Sequence, residues 1–322
     1  MFTIKDSLYS DYRIPAMAVS KDGSLYVACE CREDHSDWAN IDLQMWKSVD
    51  GGQSFVEILT IPGNGNTMNN PVLIVKEEMV HFLYCENYRR VFHIKSTDGG
   101  KTWSKAQEIT EIFEKHPHTV VAVGPGHGVV TKEGNLLSPV WLANNPDDPF
   151  AHKPSYITTI YSEDDGETWK CGEAITHPEL YSGNETAVAL TKDKKVLLSV
   201  RNIHPEIRMR YWVKSETGYD QWEHMGYDER FIDPKCMGSM CSSEQGIFFS
   251  NCESTQVREH LTVKMSTDDF ETFERIYISE NASYSEVSIW KNHLYVLYET
   301  YEIIGDERKN HRLHLKVIEV AK

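Results

Sequence analysis

The chain has 322 residues, 49 of them acidic and 33 basic, for a net charge of -16 at pH 7. That balance argues against a nucleic-acid binder, and it means that any anion site has to be made locally by clustered arginines. No apolar run approaches membrane-spanning length, so no membrane partner is expected.

Met1-Phe2-Thr3-Ile4-Lys5-Asp6 lacks the apolar stretch of a signal peptide. The sequence as given is therefore expected in the cytoplasm, or outside the cell if a signal has been removed. Seven cysteines is an odd number, and Cys29-Glu30-Cys31 lacks zinc-site spacing. Free, mostly buried thiols are expected. No Pro/Gly/Ser-rich linker interrupts the chain, so residues 1–322 read as one domain. Gln107 to Lys115 is the one short helix candidate.

A turn-forming stretch recurs along the chain. Ser48-Val49-Asp50-Gly51-Gly52-Gln53-Ser54-Phe55 is followed by Ser96-Thr97-Asp98-Gly99-Gly100-Lys101-Thr102-Trp103. Ser162-Glu163-Asp164-Asp165-Gly166-Glu167-Thr168-Trp169 is a third full copy. Ser215 to Trp222 is a degenerate copy, and Ser266-Thr267-Asp268-Asp269-Phe270-Glu271-Thr272-Phe273 has lost its glycine. The first serines are 48, 66, 53 and 51 residues apart. Asp and Gly supply turn chemistry, the hydroxyls close further bonds, and the final aromatic is expected to return the chain to a buried strand. A period near fifty predicts an all-β, six-bladed β-propeller of about six stacked units, with four antiparallel strands per blade. This pattern is the Asp box, and it resembles the repeats of sialidases and of other propellers without sialidase activity. It speaks for fold, and function has to come from other residues.

Arg13-Ile14-Pro15 precedes the first predicted strands. With the boxes, this triplet resembles the microbial exo-sialidase family over essentially the whole chain. The resemblance implies that Arg13 is the first of three arginines gripping a substrate carboxylate. Arg fits that role, being always charged and forked. Glu30 to Leu43 reads as a loop that, by the resemblance, carries an acid/base aspartate. Asp37 is the better match and Asp34 the alternative. Arg32 is similar to an arginine that contacts the sugar 4-hydroxyl, and a salt-bridged loop arginine is the other reading. Asn70, in Thr67-Met68-Asn69-Asn70-Pro71, stands where many family members have Asp near the same hydroxyl.

The glycine-rich Ala122 to Val130 reads as a propeller-rim loop, with the role of His127 open. Arg208 and Arg210 read as surface charge. Gly183-Asn184-Glu185-Thr186, then Val200-Arg201 sixteen residues beyond Glu185, resembles the segment with a catalytic Glu and the second triad arginine. Asn184-Glu185-Thr186 is formally a glycosylation sequon, discounted because a glycan there would block the pocket. Arg258 matches the third arginine. Ala282-Ser283-Tyr284-Ser285 resembles the nucleophile segment, with Tyr284 attacking. Glu299 would steady Arg13. A final strand, Leu313 to Val320, is expected to complete the ring.

The chemistry implied is retaining hydrolysis of terminal sialic acids from glycans or sialosides. The substrate carboxylate would repel a carboxylate nucleophile, and a neutral phenol avoids that; sialidases with a Tyr nucleophile are a known exception to the two-carboxylate rule. Glu185 would take the Tyr284 proton, and Asp37 would protonate the leaving oxygen. No metal or organic cofactor is required. Two alternatives stand: a non-catalytic Asp-box binding module, and an intramolecular trans-sialidase or an enzyme for deaminated sialic acid on the same site.

Overall fold

The computed structural model of the chain describes residues 2–3 and 9–320. Most of the Met1 to Asp6 stretch read for a leader lies outside them. Among the described residues the strands form six sheets, each a blade of one propeller. The first blade runs from its innermost strand outward as Asp11–Val19, Leu25–Arg32, Ile41–Ser48 and Val56–Ile61. The fourth is Gly183–Leu190, Val196–Asn202, Met209–Ser215 and Glu223–Ile232, and the fifth is Ser239–Ser243, Gly246–Cys252, Glu259–Ser266 and Glu274–Asn281.

Two blades depart from four strands. In the second, Gly126–His127 adds a parallel pairing to Met68–Lys76, at Val72 and Leu73. In the third, Val129–Val130 pairs with Leu136–Ala143. The glycine-rich stretch is therefore not a rim loop. Gly126–His127 touches the innermost strands of the first, second and fourth blades. His127 Nδ1 meets Glu286 of the sixth blade at 2.7 Å. Gly126 is needed for that approach: its φ is +112°, and a Cβ there would sit 2.4 Å from a Glu286 oxygen. The helix candidate resolves into a strand, Gln107–Glu108, and a single 3-10 turn, Thr110–Phe113.

The ring closes differently from expectation. Glu307–Glu319 does not finish the sixth blade alone; Phe2–Thr3 pairs beside it as the outermost strand. Each seam between neighbouring blades carries its own apolar core. Val72 and Leu83 of the second blade pack with Val121 and Leu142 of the third. Tyr12 and Leu25 of the first pack with Tyr295 and Leu315 of the sixth. Burying one such aliphatic side chain contributes about 1.5–3 kcal/mol.

The boxes link the third strand of a blade to its fourth. In the first, the Asp50 Oδ1 accepts the Ser54 amide at 2.9 Å and Oδ2 the Ser54 hydroxyl at 2.6 Å. The Gly52 amide donates to the Ser48 hydroxyl at 2.9 Å. The Ser266 box keeps this geometry without its glycine: the Phe270 amide donates to Ser266 at 2.8 Å. Phe270 holds the left-handed φ of +69° that glycine would adopt freely. Its buried ring packs on Trp212 and Phe231, which offsets that strain. The strand after the box is not buried: Val56–Ile61 is the exposed outer edge of its blade. The aromatic tucks under the turn, as the buried Trp169 does.

Candidate active site

Three innermost strands carry a β-bulge at the end where the blades converge. The irregularities fall between Arg13 and Ala16, Asn69 and Val72, and Gly183 and Thr186. A bulge kinks the strand and re-aims its side chains. Ile14 and Asn70 both stand at φ +56°. The bulges turn Arg13, Asn70 and Glu185 into a cavity of about 470 Å³. Asp37, Arg201, Arg258 and Tyr284 line the same cavity.

Glu185 of the fourth blade and Tyr284, at the start of the sixth, meet across the fifth. The Tyr284 hydroxyl donates to Glu185 Oε1 at 2.5 Å. Arg201 donates from Nη1 to Glu185 Oε2 and, at 2.9 Å, to the Tyr284 oxygen. Burial, then the Glu185 carboxylate, pushes the phenol well above its ordinary pKa, against the pull of the arginines. Tyr284 is therefore a neutral phenol at pH 7, with its proton already aimed at a base.

Arg13 and Arg258 flank the ring, with guanidinium carbons 5.4 and 5.1 Å from its centroid. Arg258 donates to the Ser283 hydroxyl at 3.2 Å, and its carbonyl accepts the Tyr301 hydroxyl at 2.6 Å. Nε of Arg13 and of Arg201 makes no hydrogen bond. Glu299 lies beneath, fully buried, 3.5 Å from Arg13 Nε. Burial alone would raise its carboxyl; Arg13 and His311 outweigh that and hold it below its ordinary value.

Asp37 reaches the cavity from the first blade. Its side chain is 45% exposed, yet Arg32 Nη1 holds it at 2.8 Å. Burial raises the carboxyl, but Arg32 and then Arg13 bring it down to about 2. Asp34 is exposed, does not line the cavity, and accepts the Ser36 amide at 2.7 Å.

Arg32 is neither in a loop nor in the cavity lining. It ends the strand Leu25–Arg32, fully buried, between Glu30 and Asp37. Glu30, which sequence reasoning passed over, also accepts the Asn70 amide at 2.8 Å. Asn70 lines the cavity, but its side-chain amide donates to the Val123 carbonyl at 3.1 Å and its oxygen accepts from Asn69 at 3.0 Å. Asn184 is buried at the cavity wall.

The reading of Arg210 as surface charge is overturned. It is fully buried and donates to the carbonyls of Ser199 and Cys236 at 2.7 and 2.9 Å. Strand alternation turns it inward, behind Arg201.

One wall was also missed. Tyr88, Trp141 and His152 line the cavity. Trp38 continues the cluster outward, with ring centroids 5.0 Å from both Tyr88 and Phe150. Five residues scattered between 38 and 152 converge here, and no local motif joins them. Burial, above all, keeps His152 neutral by lowering its pKa. The cavity thus offers a cationic floor, an apolar wall, and two separate carboxylates at different depths.

The family model described as a BNR repeat-like domain matches residues 57–296. A sialidase of Bacteroides fragilis is 23% identical over 90% of this chain, which spans 60% of that protein. Among solved structures, the Hadza microbial sialidase Hz136 has a TM-score of 0.80 at 20% identity, over 95% of this chain and 65% of its own. A Trypanosoma rangeli sialidase in complex with 2,3-difluorosialic acid, a covalent intermediate, has a TM-score of 0.77 at 20% identity, over 96% of this chain and 54% of its own. The match to the family model covers most of the propeller, and the chain belongs to the sialidase family with BNR, or Asp-box, repeats.

Proposed function

We propose that this chain is a retaining exo-α-sialidase, a glycoside hydrolase that removes terminal sialic acid from a sialylated glycan. The observation that carries the reading is the Tyr284 hydroxyl donating to Glu185 at 2.5 Å beneath three arginines. Arg13, Arg201 and Arg258 clamp the carboxylate on the anomeric carbon and orient the ring. As Tyr284 attacks that carbon, Glu185 takes its proton and Arg201 steadies the charge growing on the phenol oxygen. The bond to the leaving oxygen breaks, and that oxygen takes a proton from Asp37.

Free Asp37 is ionised, so it has to gain a proton for the first step. Binding of the substrate carboxylate draws on the positive charge of Arg13, one of the groups that hold Asp37 down. The Asp37 carboxyl then moves up toward the range an acid needs. In the second step the Asp37 carboxylate takes a proton from water, whose oxygen attacks the anomeric carbon; the bond to Tyr284 breaks, and Glu185 returns its proton to the phenol oxygen.

The test is covalent trapping. A 3-fluoro-sialosyl fluoride has a good leaving group and slows the second step, so the adduct accumulates. Peptide mapping is expected to find the added mass on Tyr284. An adduct on Glu185 or Asp37 would overturn the mechanism, and no turnover of any sialoside would overturn the function. Mass spectrometry of the released sugar separates hydrolysis from an anhydro product.

A further inference from the structure

Most described lysines near carboxylates in this acidic chain are paired with them, as Lys195 is with Glu216 at 2.7 Å and Lys76 with Asp165 at 2.5 Å. Lys153 and Lys235 are different. Both line the cavity, and neither has an ion pair among the described residues. The cavity's own carboxylates cannot serve them, because Asp37 is held by Arg32 and Glu185 by Arg201.

Both lysines stand on pinned backbone. The Lys153 carbonyl accepts from Asn145 Nδ2 at 3.2 Å. Lys235 sits at φ +63°, a left-handed conformation that a side chain with a Cβ rarely adopts. It is held there from the next residue: the Cys236 amide donates to Asp233 Oδ1 at 2.9 Å, and the Cys236 carbonyl accepts from Arg210 at 2.9 Å. The Arg208 carbonyl secures the same turn by accepting the Asp233 amide at 2.9 Å. Burial first, then Arg208, Lys153 and Arg201, lowers the Lys235 pKa. Lys153 and Lys235 thus lie close enough to repel each other, with no carboxylate paired to either among the described residues.

We propose that Lys153 and Lys235 form a second anion subsite, which receives a negatively charged group of the bound sialoside other than its anomeric carboxylate. The proposal rests on the sialidase reading, in which the three arginines are already engaged by that carboxylate. Lysine suits this second anion, because an ammonium on a flexible stem is a point charge that does not demand a planar partner. The charge can come from two sources. It can sit on the leaving sugar, as the carboxylate of an inner sialic acid, or on the exocyclic chain of the terminal sugar, as a sulfate ester.

Three probes separate these sources: sialyl-α2,3-lactose, an α2,8-linked disialyl-lactose, and sialyl-α2,3-lactose with a 9-O-sulfate. Each is assayed with the unmodified protein and with the Lys153→Gln, Lys235→Gln double variant. One charged probe is expected to exceed sialyllactose in kcat/KM by about tenfold, the size two partly exposed ion pairs supply. The double variant is expected to lose that preference while turning over sialyllactose at the unmodified rate, and added salt is expected to shrink the preference. Equal kcat/KM for all three probes, or a preference that survives in the double variant, would overturn the subsite. If neither these probes nor any other sialoside is hydrolysed, the sialidase reading fails by itself. Calorimetric binding of the same probes then decides the subsite: tighter binding of a charged probe, lost in the double variant, supports it, and equal binding removes it.

Discussion

The Glu299 carboxylate crosses the seam between the sixth blade and the first and accepts the Ile14 amide at 2.7 Å. Its other oxygen faces the Tyr284 amide at 3.4 Å. One buried side chain therefore ties the bulge that aims Arg13 to the segment that carries Tyr284. The next seam repeats the device, with Glu30 accepting the Asn70 amide at 2.8 Å. Removing Glu299 leaves Arg13, only 11% exposed in its side chain, without its carboxylate. Glu299→Ala is expected to cost about 3–5 kcal/mol in denaturant unfolding, the range for breaking a buried pair. Glu299→Gln keeps an acceptor for Ile14, so it is expected to lose less stability and to raise KM. Equal stability of Glu299→Ala and the unmodified protein would refute the bridge.

Arg201 Nη1 contacts both Glu185 and Tyr284, which leaves the rest of the guanidinium for the substrate carboxylate in the proposed mechanism. Arg201→Lys keeps the charge and loses that geometry. At least ~1.5 kcal/mol of transition-state stabilisation should go, roughly tenfold in kcat/KM, with kcat falling too. A change confined to KM would assign Arg201 to binding alone.

The acid is tested through the leaving group. Asp37→Ala is expected to depress turnover of sialyllactose by about 10²–10⁴-fold. Aryl sialosides, whose leaving group needs little protonation, should be far less affected. The same signature in Asp34→Ala, without it in Asp37→Ala, would move the role to the exposed aspartate.

The contact between His127 and Glu286 gives the fold a pH dependence. Burial opposes a charge on His127, but Glu286 and the Met240 backbone outweigh it and raise the imidazole pKa. A raised pKa in the folded state means stability that is full below the ordinary value of about 6.5 and is lost as pH rises through the folded value. The melting temperature of the unmodified protein is expected to fall as pH rises above the ordinary histidine value of about 6.5. His127→Gln should lack that slope and melt lower at pH 6. Parallel curves for the two proteins would exclude the linkage.

The propeller was legible because each box is closed by bonds within a few residues, such as Asp98 to Thr102 at 2.9 Å. Local bonds leave a local pattern. Arg13, Glu185, Arg201, Arg258 and Tyr284 were placed by resemblance, and what brings them together is the ring. Arg210 was misread because what surrounds it comes from far along the chain, the Cys236 carbonyl and the Phe249 ring of the fifth blade, which no local window contains. Arg32 was misplaced for a related reason: its partner Glu30 is two residues away, but only the strand direction puts both side chains on one face. The wall of Trp38, Tyr88 and His152 left no trace at all, since its members share neither spacing nor segment.

The sixth blade takes its outermost strand from Phe2–Thr3 and its inner strands from the far end of the described chain. On a ribosome, Ile14 emerges 285 residues before Glu299, which holds its amide. All three arginines therefore leave the exit tunnel before Tyr284 has a sheet to stand on. Blades can stack as they are made, but this seam has to wait for a loop of 285 residues to close, and closures of that kind slow folding. Growing chains should carry stacked blades around an unfinished cavity, which is completed in one event when the first blade meets the sixth.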